Sequence, residues 1–232
     1  MLLIRPRYEI LTPVNGPEIL RFLERCGRVC YKSEENITLG SATRFCGKIL
    51  QKNHLSVIEH VTVTVRFIVN RGVSHELVRH RIGSYSQEST RYCNYAKKGV
   101  VYIIPPQLSY EDGWEPDEND SLSHPWLRAL RTAEVEYLDL LKSGWTPQQA
   151  RDVLPHALKT EIIATYNLRE WQHVFALRCD KAAHPQMREV MLPLQRYFHV
   201  KLPELFPVCF DYNQPTPDTT RFKVSEEASC SN

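Results

Sequence analysis

Fourteen consecutive residues, Arg79-His80-Arg81-Ile82-Gly83-Ser84-Tyr85-Ser86-Gln87-Glu88-Ser89-Thr90-Arg91-Tyr92, hold three arginines, one histidine, four Ser or Thr hydroxyls, a glutamine and a glutamate. Ile82 is the one aliphatic side chain among them. Such a run cannot build a core. It can bind an anion, because each guanidinium presents a planar fork of donors that fits phosphate or carboxylate two bonds at a time. Ser, Gln and Glu add donors and acceptors at short reach, enough to read a polar ring. His80 lies between Arg79 and Arg81, so its charged form is disfavoured by both neighbours. Neutral, it donates from one ring nitrogen and accepts at the other. The plain alternative is a solvated loop. Position argues otherwise, since the run follows an apolar strand and helix pattern, at the end of buried elements where sites sit.

Other clusters are sparser. Asn167 and Arg178 are eleven residues apart, which on a helix places them within roughly 20° of one line. Arg169 and His173, four apart, form a second stripe on the opposite side. This is either an exposed helix with charges in water or a helix lying between two ligands. Arg151, beside Asp152, reads alone as a surface ion pair. His54, Ser56, Glu59 and His60 make a polar edge. Ser89 invites a nucleophile reading, but no GxSxG elbow is present and no base is visible, so binding is the safer role.

The elements that must position these groups are legible in outline. Tyr8 to Leu11 reads as a first strand. Asn15-Gly16-Pro17 opens a helix, with Pro17 in its first turn. A second helix covers Ala42 to Gln51. Val61, Val63, Val65, Phe67 and Val69 alternate with polar residues and predict a strand with one buried face. Asn70 or Ser74 caps a short helix through Leu77, and the Arg/His/Ser run is its continuation and exit. Val100 to Ile104 is another strand. Glu111 to Asp120, with six acidic residues, reads as a surface loop. A long helix follows from about Leu122 to Leu141. Thr146-Pro147-Gln148-Gln149 is a capping box. Thr160 to Tyr166 leans to strand, Asn167 caps a helix to Cys179, and Pro185 opens a last helix to about Val200.

Composition bounds the rest. The 232 residues are 42% hydrophobic and 24% charged, as in a soluble globular protein. No apolar run is long enough to span a bilayer, and the first residues lack a signal-peptide pattern, so a cytoplasmic chain is expected. A net charge of +2 does not suggest bulk nucleic-acid binding. Seven cysteines without a CxxC pair fit reduced thiols, and no metal site is expected. A single domain over residues 1–210 is expected, with 211–232 as a peripheral tail.

The opening run resembles the signature RHRxxSxNExSxRY of the flavin-dependent thymidylate synthases. Arg79, His80, Arg81, Ser84, Ser89, Arg91 and Tyr92 match it. Ser86 stands for Asn and Gln87 for Glu, with Glu88 adjacent as an alternative carboxylate. Four further segments resemble the family in order: Arg28-Val29-Cys30, His54-x-Ser56-x-x-Glu59-His60, Ala150-Arg151-Asp152-Val153-Leu154-Pro155, and Asn167-x-Arg169-x-x-x-His173-x-x-x-x-Arg178. Asp180 to Gln186 departs from common members.

The resemblance implies an α/β (α+β) fold with a central, mainly antiparallel sheet flanked by helices, one domain per subunit. It implies reductive methylation of dUMP to dTMP, with 5,10-methylenetetrahydrofolate as carbon donor, FAD as hydride carrier and NADPH as reductant. By the same resemblance Arg178 is catalytic. The nucleotide falls to Glu76, Arg79, Gln87, Glu88, Ser89, Thr90, Arg91, Arg151 and Arg178. The flavin falls to Ser56, Glu59, Arg79, His80, Arg81, Gln87, Asn167, Arg169 and His173. The absence of GxGxxG means that a Rossmann site does not hold it. A homotetramer with shared sites is implied, with no nucleic-acid or membrane partner. Two other classes stand beside this one: a nucleic-acid binder using Arg79, Arg81 and Arg91 with Tyr85, Tyr92 and Tyr95 as stacking platforms, and a hydrolase with Ser89 as nucleophile.

Overall fold

In the computed structural model the described residues are 1–97, 99–207 and 222–224. They gather into two compact units, each built from separate stretches of chain. The first comprises Met1–Arg7, Phe67–Arg79 and Tyr85–Ile163; the second comprises Tyr8–Arg66, His80–Ser84 and Ala164–Asn232. Two long strands, β3 (Thr62–Asn70) and β6 (Lys159–Asn167), run through both. Including β2 (Arg7–Ile10), β4 (Ser84–Gln87) and β7 (Phe222–Val224), the strand order is β4-β6-β3-β2-β7. Four of these strands form an antiparallel sheet, and β7 adds parallel to β2. The tail expected to be peripheral lies largely outside the described residues.

Period-two alternation decides the burial of the long strands. Val63, Val65, Phe67 and Val69 of β3 are all fully buried, as are Thr160, Ile162, Ala164 and Tyr166 of β6. In the first unit β1 (Leu2–Ile4) pairs parallel with β5 (Val101–Ile103). Their apolar residues pack with Leu127, Leu130 and Tyr137 of helix α5 (Pro125–Lys142). In the second unit α1 (Gly16–Val29) packs on α2 (Ser41–Gln51). There too α7 (Leu168–Arg178) packs on α8 (Pro185–Lys201), where Trp171, Phe175 and Phe198 interlock.

Three expectations are corrected. The Arg/His/Ser run contains strand β4; its polar, half-exposed residues give no hydrophobic alternation, so only pairing to β6 defines it. The acidic stretch holds the start of helix α4 (Glu118–Ser123). Asp117 and Asp120 there form a reciprocal capping box, and negative charge suits a helix N-terminus. The long helix from Leu122 is two helices: His124, preceding Pro125, is held extended, which ends α4 and starts α5. Among the described residues no helix is long and apolar enough to cross a membrane.

Candidate active site

In the second unit, the buried His80 is the hub. Its Nδ1 lies 3.3 Å from Glu170 Oε1, and its Nε2 accepts a hydrogen bond from Arg178 Nε at 3.0 Å. The rings of His173 and Tyr166 approach it edge-on, with centroids at 5.6 and 6.2 Å. Burial first, then Arg178 and His173, holds its pKa down at about 4. The expectation of a neutral imidazole holds, but the cause differs: the flanking Arg79 and Arg81 are exposed, and the charge that matters is Arg178. Glu170 is buried as well, and desolvation raises its pKa.

Helix α7 supplies three of these groups. Asn167 sets its start, accepting from the Glu170 backbone N–H at 2.8 Å. From there Arg169 projects to Glu59 on the short 3-10 helix Leu55–His60. The other face gathers Glu170, His173 and Arg178 at His80. The helix does present two sides, but not the two stripes read from the sequence: His173, paired there with Arg169, lies instead with Arg178 at His80, and Glu170, which the reading missed, joins them. Glu170 gave no local signal, because its partner lies ninety positions away. Ligand-capable atoms of His80, Glu170 and His173 lie within 4.8 Å of one another. The Arg178 guanidinium on His80 disfavours a further cation there.

An open cleft of about 420 Å³ in the same unit is lined by His54, Ser56 and Arg169 among others. Hydroxyl, imidazole and guanidinium donors together suit the phosphates of a dinucleotide. The Asn167 Oδ1 is committed to its cap, so what it offers a ligand is its amide donor. Ser56 and Arg169, both expected to hold the flavin, line this cleft; Asn167 is not among its lining residues.

The first unit holds the groups expected to bind the nucleotide other than Arg178, which belongs to the second. Arg91 Nε donates to Gln148 Oε1 at 3.0 Å, and Arg151 donates to Thr90 Oγ1 at 3.1 Å. These crossed bonds bring Arg91 and Arg151, sixty residues apart, to one place. Ser89 Oγ accepts from the Arg91 backbone N–H at 3.3 Å and turns the chain. Glu76 is half-buried on helix α3 (Arg71–Leu77), which Asn70 caps.

Gln87 and Glu88 can now be told apart. The Ser74 hydroxyl donates to Arg71 O, so the group bonded to its oxygen must be a donor. That group is Gln87 Nε2, which also donates to Thr160 Oγ1. The amide is thus oriented with its carbonyl oxygen as the remaining acceptor. The Glu88 carboxylate is engaged by Tyr95 OH at 3.1 Å and Lys159 Nζ at 2.9 Å. Arg71 and Lys159, which sequence reading passed over, hold this segment; Arg71 Nη1 reaches Glu88 O at 3.3 Å.

Both alternative classes lose ground. A stacking platform needs exposed rings, yet Tyr95 is buried and Tyr85 OH is tied to Leu77 O. Tyr92 alone of the three is well exposed. Ser89 has no imidazole or carboxylate on its hydroxyl among the described hydrogen bonds.

Residues 15–204 match the family described as thymidylate synthase complementing protein. A flavin-dependent thymidylate synthase of Geobacter sulfurreducens is 32% identical over 210 residues, covering 86% of this chain and 87% of the relative. That of Mycobacterium tuberculosis is 30% identical over 202 residues, covering 83% and 79%. Among solved structures, a UMP/dUMP methylase of Streptomyces cacaoi bound with 5-bromo-dUMP superposes with a TM-score of 0.71. It covers 89% of this chain and 96% of its own, at 24% identity, a likeness of fold.

Proposed function

The chain belongs to the flavin-dependent thymidylate synthase family, and from that premise we propose that it methylates dUMP to dTMP. The balanced reaction takes one methylenetetrahydrofolate as carbon donor, one NADPH as reductant and one proton, and releases dTMP, tetrahydrofolate and NADP⁺. A bound flavin supplies the hydride chemistry. The chain's own residues bind and orient. Arg91 and Arg151, crossed on Thr90 and Gln148, take the nucleotide phosphate as charge-assisted donors. Gln87 presents its carbonyl oxygen, the same polarity as the family's carboxylate oxygen. Ser89 and Glu76 complete the nucleotide set, while Glu88 supports the segment through Lys159.

The observation that carries this reading is Arg178, whose Nε is held at 3.0 Å by a buried imidazole. A guanidinium fixed before the reaction needs no rearrangement when negative charge develops at the N3–O edge of a uracil. Arg169, Ser56, Asn167 and His173, with the exposed Arg79 and Arg81, are assigned to the flavin. We further assign the chain to the cytoplasm, to one working domain over 1–210, and to a homotetramer whose subunits share sites.

The test is direct. Purified protein should be yellow, or turn yellow with added FAD, and should form dTMP from dUMP, methylenetetrahydrofolate and NADPH. Arg178→Ala should keep the flavin absorbance and lose dTMP formation by about 100-fold or more, the loss typical for removing a preorganised charge stabiliser. Colourless protein that refuses FAD overturns the reading, and parental turnover in Arg178→Ala overturns the role of that residue.

A further inference from the structure

Glu170 is a buried carboxylate that neither the family resemblance nor the nucleotide chemistry assigns. It lies on α7, two turns before Arg178, and its Oε1 meets His80 Nδ1 at 3.3 Å. On the other side of the same ring, Nε2 faces Arg178 Nε at 3.0 Å. The arginine Nε carries a hydrogen at all accessible pH, so it can only donate, and Nε2 must be the acceptor. A neutral imidazole has one ring proton, which then resides on Nδ1 and points at Glu170. We propose that Glu170 is a positioning residue: by accepting the Nδ1 proton it holds His80 in the tautomer whose Nε2 fixes the Arg178 guanidinium.

The chemistry of the neighbours supports this. Which nitrogen of a histidine carries the proton is set by the hydrogen bond made at the other one. Without Glu170 the imidazole is free to carry its proton on Nε2, where it would point at Arg178 Nε–H, donor against donor. Arg178 would then swing away. His173 and Tyr166 both meet the ring in edge contacts. The low pKa of His80 keeps the ring neutral around pH 7, the state in which the tautomer matters. Glu170 thus acts through His80 and touches no reacting atom itself. The catalytic consequence rests on the methylation reading; the tautomer does not.

The experiment separates the two. Full-length protein labelled with ¹⁵N in histidine is examined at pH 7.5, with the His80 signals assigned by their loss in His80→Gln. The parent should show the Nδ1–H tautomer at His80. Glu170→Ala should convert it to Nε2–H or a mixture, and Glu170→Gln, which keeps an acceptor oxygen, should restore Nδ1–H. An Nε2–H tautomer in the parent overturns the proposal, whatever the variants do and even if Glu170→Ala fails to fold. In steady-state assays Glu170→Ala should lower kcat by about 10–100-fold, the range seen when a partner orienting a histidine is removed. KM for dUMP should stay within about threefold. Glu170→Gln should recover most of kcat, and Glu170→Ala added to His80→Gln should cost nothing more. Parental kcat in Glu170→Ala overturns the positioning role. A parent that forms no dTMP overturns the methylation reading alone and leaves the tautomer result standing.

Discussion

At the scale of one side chain, the protonation of His80 links the site to stability. Its folded pKa of about 4 lies below the ordinary value of 6.5, so between those pH values the unfolded chain binds the proton more readily. The contribution of neutral His80 is therefore fully present above pH 6.5 and is lost as pH falls towards 4. At 1.36 kcal/mol per pH unit this amounts to roughly 3 kcal/mol. Glu170, whose pKa is raised by burial, acts in the opposite sense and offsets part of it. Groups that face the ring include Glu170, His173, Arg178 and Tyr166. The urea midpoint should fall between pH 6.5 and 4, and His80→Gln should flatten that slope; an unchanged slope in the variant would show that other groups set it. Much of this was visible in the residue run. The neutrality of His80 was read from crowding by its arginine neighbours, although burial first, and then Arg178, is what lowers its pKa. Glu170 was not visible, because nothing at i±4 marks a partner ninety residues away.

Elements follow the same division between local and distant causes. Asn15, Asn167 and the Thr146 box sit where a helix start was read, and of the two caps offered for α3, Asn70 is used while Ser74 lies inside the helix, because a cap is decided within four residues. Strand β4 escaped, since pairing to β6 is what defines it. One residue just before β4 shows how tightly the second unit fixes this passage. A Cβ built on Gly83 would stand 2.4 Å from the Tyr166 ring and 3.1 Å from Thr165 O. Tyr166 is buried against Trp171, with ring centroids 4.8 Å apart, so it has little room to yield. Gly83→Ala should therefore cost about 1–3 kcal/mol, as overpacking does. The urea midpoint should drop at unchanged m-value, because the exposed surface on unfolding is the same. A variant as stable as the parent would mean that the ring moves freely.

For the molecule as a whole, sequence reading anticipated the mixed fold but neither the strand order nor the two units. Periodicity reports which face of a strand is buried, not which strand lies beside it. Exposed apolar side chains next to the site concern assembly. Ile82, two residues from His80, is 66% exposed, and Leu177, beside Arg178, is 49% exposed. Apolar surface so close to charged machinery suits cover by a second copy of the chain. Sedimentation should give about four times the chain mass, and a monomer at micromolar concentration would reject the shared-site assembly. The interleaving of the units has a further bearing, on synthesis. Neither unit is a continuous stretch: the first needs residues up to Ile163, and the second begins its share of β6 at Ala164 and still needs α7 and α8. A nascent chain that has delivered β3 from the ribosome therefore carries a strand of whose two neighbours only β2 has been made, β6 not yet. Val63, Val65, Phe67 and Val69 must wait in the open for some ninety residues of translation, and this interval is when the chain has most need of chaperones.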